Sequence, residues 1–60
     1  MNVKKAIKAM TKHKAVYWDD PDNIASGEYQ IVQVKESNNS AIIENKSTDI
    51  IIEVDLNDLK

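Results

Sequence analysis

The only proline and the only glycine of this chain fall within one stretch, Trp18-Asp19-Asp20-Pro21-Asp22-Asn23-Ile24-Ala25-Ser26-Gly27-Glu28-Tyr29, which also holds the only tryptophan and one of the two tyrosines. Proline fixes one backbone torsion, and glycine admits torsions closed to other residues. Both strong punctuators are therefore used in a single loop with a large aromatic at each end. Every other reversal must be made with Asn, Asp and Ser, which tolerate left-handed backbone or bond to their own main chain. This pattern predicts one elaborate, well-defined loop on a small β scaffold whose other connections are tight.

Sixty residues make one domain, 1–60. A domain of this size buries only about 60% of the surface its unfolded chain exposes. There is no cysteine, and His13 is the only histidine, so neither a disulfide nor a four-ligand structural zinc site can be assembled. Stability must then come from a compact core, from self-association, or from both, and a homodimer is one expected state. No apolar run approaches the ~20 residues of a membrane span. The basic N-terminus lacks the long apolar core of a secretory signal. The expectation is a cytoplasmic protein with no membrane partner and no cofactor.

Residues 1–13 read as a basic amphipathic helix. At about 100° per residue, Val3, Ala6, Ile7 and Met10 share one face while Lys4, Lys5, Lys8 and Lys12 share the other. Asn2 is placed to cap the first turn. Some three turns of helix do not persist alone, so the apolar stripe must dock on something.

Residues 14–60 read as β structure. Ala15-Val16-Tyr17-Trp18 is rich in strand formers. Asp20-Pro21-Asp22-Asn23 suits a type I turn, and Ile24, the one large apolar residue inside the loop, is expected to fold inward as its anchor. Glu28–Glu36 is the longest strand candidate, and its alternation slips between Ile31 and Val32. Tyr29 and Ile31 are expected on one face and Val32 and Val34 on the other, as in a bent or bulged strand. Ser37-Asn38-Asn39-Ser40 makes a hairpin turn, Ala41–Glu44 a short strand, and Asn45–Asp49 a further turn. Ile50–Leu56 is the clearest strand, with Ile50, Ile52, Val54 and Leu56 on one side and Ile51, Glu53 and Asp55 on the other. The last four residues suit a single helical turn. The fold class is α+β and mostly β: an N-terminal helix, then a four- to five-stranded antiparallel meander, rolled into a small barrel that protects its edges.

Val16-x-Trp18-x-Asp20-Pro21-Asp22, Ser26-Gly27-x-Tyr29, Ile43-x-Asn45, Glu53-Val54 and Asp58-Leu59 together resemble a group of short bacterial proteins of SH3-like barrel type. The resemblance spans residues 16–59 and implies that fold, but no activity. The chain departs from the group in its lysine-rich opening helix and in Lys46, where a turn glycine would be comfortable. An SH3-like fold does not by itself imply binding of proline-rich peptides, because function follows the chemistry of the site.

The net charge of −2 conceals an asymmetry. Residues 1–14 carry five lysines and no acid, whereas residues 15–60 carry three lysines against all ten acids, a balance of −7. The basic segment can meet phosphates or an acidic lipid surface, or the acidic body of its own chain or of a second copy. The overall acidity weighs against a dedicated nucleic-acid domain, which tends towards pI above about 9. Asp19, Asp20, Asp22 and Glu28 suggest a hard-cation site, but the spacing fails the calcium loop: counted from Asp20, Ala25 stands where glycine belongs and Ile31 replaces the closing glutamate. No metal is assigned. Tyr17, Trp18 and Tyr29 could line an aromatic groove; with no phenylalanine in the chain, Trp18 and Tyr29 are better spent in the core. Ile51, and one of Ile42 or Ile43, fall on the side expected to face solvent. They must be covered either by the helix of the same chain or by a second chain. His13 has basic neighbours, no serine lies in a nucleophile elbow, and Gly27 stands alone rather than in a phosphate loop. The reading is a non-enzymatic module for protein–protein contact, including contact with its own copy, through Tyr17, Asp20, Asp22 and Ile51. The alternative is nucleic-acid binding through Lys4, Lys5, Lys8 and Lys12.

Overall fold

A computed structural model describes all residues, 1–60. The chain forms α1 (Val3–Thr11), β1 (Ala15–Trp18), β2 (Gly27–Lys35), β3 (Ser40–Asn45) and β4 (Ile50–Asp55), with short 3-10 turns at Glu36–Asn38 and Leu56–Asp58. The four strands make one antiparallel meander in the order β1-β2-β3-β4. The α+β, mostly-β class expected from the sequence is therefore present, with four strands rather than five and with the hydrogen-bonded sheet left open.

Local chemistry explains the element ends. The Asn2 side chain accepts from the Lys5 amide at 2.8 Å and caps α1. The helix stops because His13 turns left-handed, at φ 55°. The His13 amide then donates to Met10 O (3.2 Å) and the Lys14 amide to Ala9 O (2.9 Å), closing the helix with paired terminal bonds. Glycine usually takes this position; histidine does so here at some cost. Asn39 (φ 51°) and Asp49 (φ 58°) provide the left-handed residues of the two hairpins. The Asn45 carboxamide accepts from the amides of Ser47 and Thr48 at the second hairpin.

The strand irregularity lies where the alternation slips. The β2–β3 register shifts between Ile31 and Gln33, so Val32 is an additional, unpaired residue. Its effect differs from the expected change of face. The extra residue returns Val34 to the side of Tyr29 and Ile31, where Val34 packs against the core opposite Ala41. Only Val32 is left outside.

The core joins Val16 and Trp18 of β1, Tyr29 and Ile31 of β2, Ala41 and Ile43 of β3 and Val54 of β4 to Ala6 of α1, Leu56 and Leu59. Trp18 and Tyr29 are 6% and 3% exposed and meet edge to face, with centroids 5.7 Å apart, a geometry worth about 0.5–1.5 kcal/mol beyond their burial. Helix α1 lies on this side, against β2. Its contact stripe is Val3, Ala6, Ala9 and Met10. Ile7, expected in that stripe, is half-buried and outside the core cluster.

The C-terminal residues return to β1. Tyr17 and Lys60 exchange backbone bonds of 3.0 and 2.8 Å, the Asp19 amide donates to Asp58 O at 2.9 Å, and Trp18 bridges to Leu59. The Met1 ammonium donates to the carbonyls of Leu56 (2.8 Å) and Leu59 (3.0 Å), tying the N-terminus to the same corner. No helix is long and apolar enough to cross a membrane.

Candidate interaction surface

The elaborate loop is organised by one carboxylate. Asp20 is buried. Its Oδ1 accepts from the Asp22 amide (2.9 Å) and its Oδ2 from the amides of Ile24 (3.1 Å) and Ala25 (2.8 Å). Its own amide donates to Ser26 Oγ at 2.9 Å, and its carbonyl accepts from Asn23 at 2.8 Å, closing the turn over Pro21. The Tyr29 hydroxyl donates to Ala25 O at 2.6 Å and pins the far side. The Ala25 amide, then the Asp22 amide, hold the Asp20 carboxyl below its usual pKa; burial opposes this, and the Ile24 amide adds to the lowering.

Two expectations are corrected by this arrangement. Asp20 is not available as a contact residue, because both of its oxygens are engaged by the loop's own amides. Ile24 does not anchor the loop from within: it is 85% exposed. With its amide turned onto Asp20, its side chain turns outward, and the inward anchor is the carboxylate. Asp22 lies exposed near the loop tip.

The solvent face of the sheet can be read from the register. Tyr17 stands opposite Glu28, and Ala15 opposite Gln30, which in turn faces Glu44 and then Ile51 across the sheet. Gln33 faces Ile42, which faces Glu53; Lys35 faces Ser40, which faces Asp55. Ile42 and Ile51 are diagonal neighbours, a separation of roughly 7–8 Å that long side chains span. Ile51 is 64% exposed, Val32 48% and Tyr17 44%. The expected choice for Ile51, coverage by its own helix or by another chain, is narrowed: α1 lies on the opposite side of the sheet. Tyr17 and Ile51 share this face but sit on the first and last strands, so they can mark its two ends but not one pocket. Ile43, by contrast, is fully buried in the core.

Acids border these apolar residues: Glu28, Glu44, Glu53 and Asp55. The one base among the paired positions, Lys35, is tied to Glu53 at 3.2 Å. The Ser40 hydroxyl donates to the other Glu53 oxygen at 2.7 Å. Ser40 first, then Lys35, with a smaller contribution from Asn38, hold the Glu53 carboxyl below its usual pKa against the opposing effect of burial. A carboxylate lowered in this way is a fixed acceptor and a weak proton-abstracting base at neutral pH. Sequence reasoning did not pair Ser40 with Glu53, because they lie on different strands and only the β3–β4 register brings them together. An open depression of about 200 Å³ lies on the same side, lined by Ala15, Glu28, Tyr29, Gln30, Glu44, Asn45 and Lys46.

Lys4, Lys5, Lys8 and Lys12 are all exposed on α1. The ion pairs of the molecule are Lys35–Glu53 and Lys60–Asp19, so none of these four lysines is matched by an acid of its own chain. Comparison with protein-family models, with curated proteins and with solved structures gives no match for this chain.

Proposed function

We propose that this protein is a small, non-catalytic interaction module of SH3-like barrel type that works by protein–protein contact, including contact with its own copy, through the solvent face of its sheet. The observation that carries the reading is the exposure of Ile51, Val32 and Tyr17 on the face turned away from the core. Folding leaves these large apolar groups in water, and a partner surface would remove them from it. Asp22, exposed in the loop between β1 and β2, is proposed as a further contact residue.

The barrel reading is supported by the element order, by the bend at Val32 and by the return of the C-terminus to β1 through Tyr17 and Lys60. The resemblance to short bacterial SH3-like proteins agrees with it. A chain without cysteine suits a reducing compartment such as the cytoplasm.

Heteronuclear NMR spectra recorded while the protein concentration is raised test the self-contact. The expected outcome is movement of the amides of Ala15, Tyr17, Gln30, Ile42 and Ile51, with those of Ala41 and Ile43 unchanged. Spectra that do not move over the series would exclude self-association through this face.

The unmatched lysines favour a second reading, nucleic-acid binding by Lys4, Lys5, Lys8 and Lys12. Such binding would weaken steeply as salt is raised. Titration of labelled single- and double-stranded DNA and RNA at two salt concentrations tests it, and no binding at low salt rejects it.

A further inference from the structure

We infer that the occupant of the sheet's solvent face is the cationic face of α1 from a second copy of this chain. The inference rests on the proposed reading that this sheet face is the contact surface, and it names the partner. Its first ground is charge complementarity. Lys4, Lys5, Lys8 and Lys12 are exposed and without an acid partner, while Glu28, Glu44 and Asp55 border the apolar residues of the sheet without a basic one.

The second ground is topology. Helix α1 covers the core side of the sheet through Ala6, and Tyr17, Ile42, Glu44 and Ile51 alternate onto the other side. The two charged surfaces of one molecule therefore face away from each other and cannot meet. They can meet only between molecules. The third ground is Ile7, which borders the lysine stripe outside the core and can meet the diagonal pair Ile42 and Ile51.

A contact between two different surfaces is heterologous. It propagates into a chain of molecules, or closes into a ring, instead of stopping at a two-fold dimer. Because it depends on charge, it weakens as salt is added. An apolar dimer with Ile51 facing its own copy would not.

The test is sedimentation of the full chain over a range of concentrations at low and high salt, with two sets of substitutions at positions outside the core. One set reverses the helix (Lys4→Glu, Lys8→Glu, Lys12→Glu) and the other the sheet (Glu28→Lys, Glu44→Lys). Circular dichroism confirms that both remain folded. The wild type is expected to associate at low salt and dissociate at high salt. Each variant alone should associate about tenfold more weakly or worse. An equimolar mixture of the two should recover association, since each supplies the surface complementary to the other. A wild type that stays monomeric at low salt, or a mixture no better than its components, overturns the inference. Association that persists in high salt and in the helix variant, but is lost in Ile51→Lys, also overturns it while leaving the sheet face as the contact surface. A monomeric wild type whose lysines instead take up labelled DNA overturns it as well.

Discussion

Both faces of the same four-stranded sheet carry large apolar residues, but they use them differently. On the core side, Val16, Trp18, Tyr29, Ile31, Ile43 and Val54 exclude water together with Ala6, Leu56 and Leu59. On the other side, Tyr17, Val32, Ile51 and the half-buried Ile42 stand among Glu28, Glu44, Glu53 and Asp55, on the face that α1 does not cover. A side chain withdrawn from water stabilises the fold by about 1.5–3 kcal/mol; one left outside contributes little to it. Apolar character alone therefore does not identify a core residue in this chain. Strand phase sorts most of them, but Ile52, in phase with Ile50 and Val54 and opposite the buried Ile43, is still 39% exposed because β4 is an edge strand.

Truncation on the core face tests this contrast. The largest effect is expected for Trp18→Ala, a loss of about 3–5 kcal/mol, followed by Ile43→Ala at about 2–5 kcal/mol. In a domain of 60 residues either loss approaches the whole stability, and urea denaturation followed by circular dichroism reads it. A cost below about 1 kcal/mol at Trp18 would mean that the aromatic bracket does not close the core.

Next comes Asp20→Asn. The substituted amide presents a donor to loop amides that need an acceptor, so the variant is less stable at neutral pH. Its acid response also differs. Asp20 is held below its usual value of 3.8 in the folded chain, so its stabilisation is full above that value and is lost as pH falls from there through the folded pKa. Glu53, lowered from 4.5, acts in the same sense. The stability-versus-pH curve of Asp20→Asn should therefore be flatter than that of the wild type at its acid end. An unchanged slope would show that the loop amides do not depend on the charge.

A smaller change of opposite sign is expected at the end of α1. His13→Gly removes a side chain from left-handed backbone and should stabilise the chain by about 1 kcal/mol. Thermal unfolding measures it, and a destabilised variant would show that the histidine ring contributes something the backbone argument omits.

Much of this architecture was legible in the sequence because it is set by neighbours in the chain. The Asn2 cap, the turns at Asn39 and Asp49, the phase of Val54 and Leu56 and the slip near Val32 all follow from residues within a few positions. What was not legible depends on partners brought from elsewhere, or on a competition within the loop. Ile24 looked like the natural anchor of its loop, but the Asp20 carboxylate gathers three amides and turns that side chain out. The helix stripe rotated from Ile7 towards Ala9 because the sheet, not the helix, decides which residues are covered. Ser40 and Glu53 meet only through the β3–β4 register. Tyr17 and Ile51 lie exposed on the solvent face, as strand phase implies, whereas the charge of Asp20 is used inside its own loop.

The most direct test of the division between the faces places a lysine at Ile51 and at Ile43 and compares urea unfolding, at protein concentrations too low for association to add stability. Ile51→Lys is expected to unfold within about 0.5 kcal/mol of the wild type, while Ile43→Lys, which buries an unpaired charge, does not fold. If Ile51→Lys lost several kcal/mol as an isolated molecule, the solvent face would be part of what holds the fold together, and its reading as a reserved contact surface would be wrong.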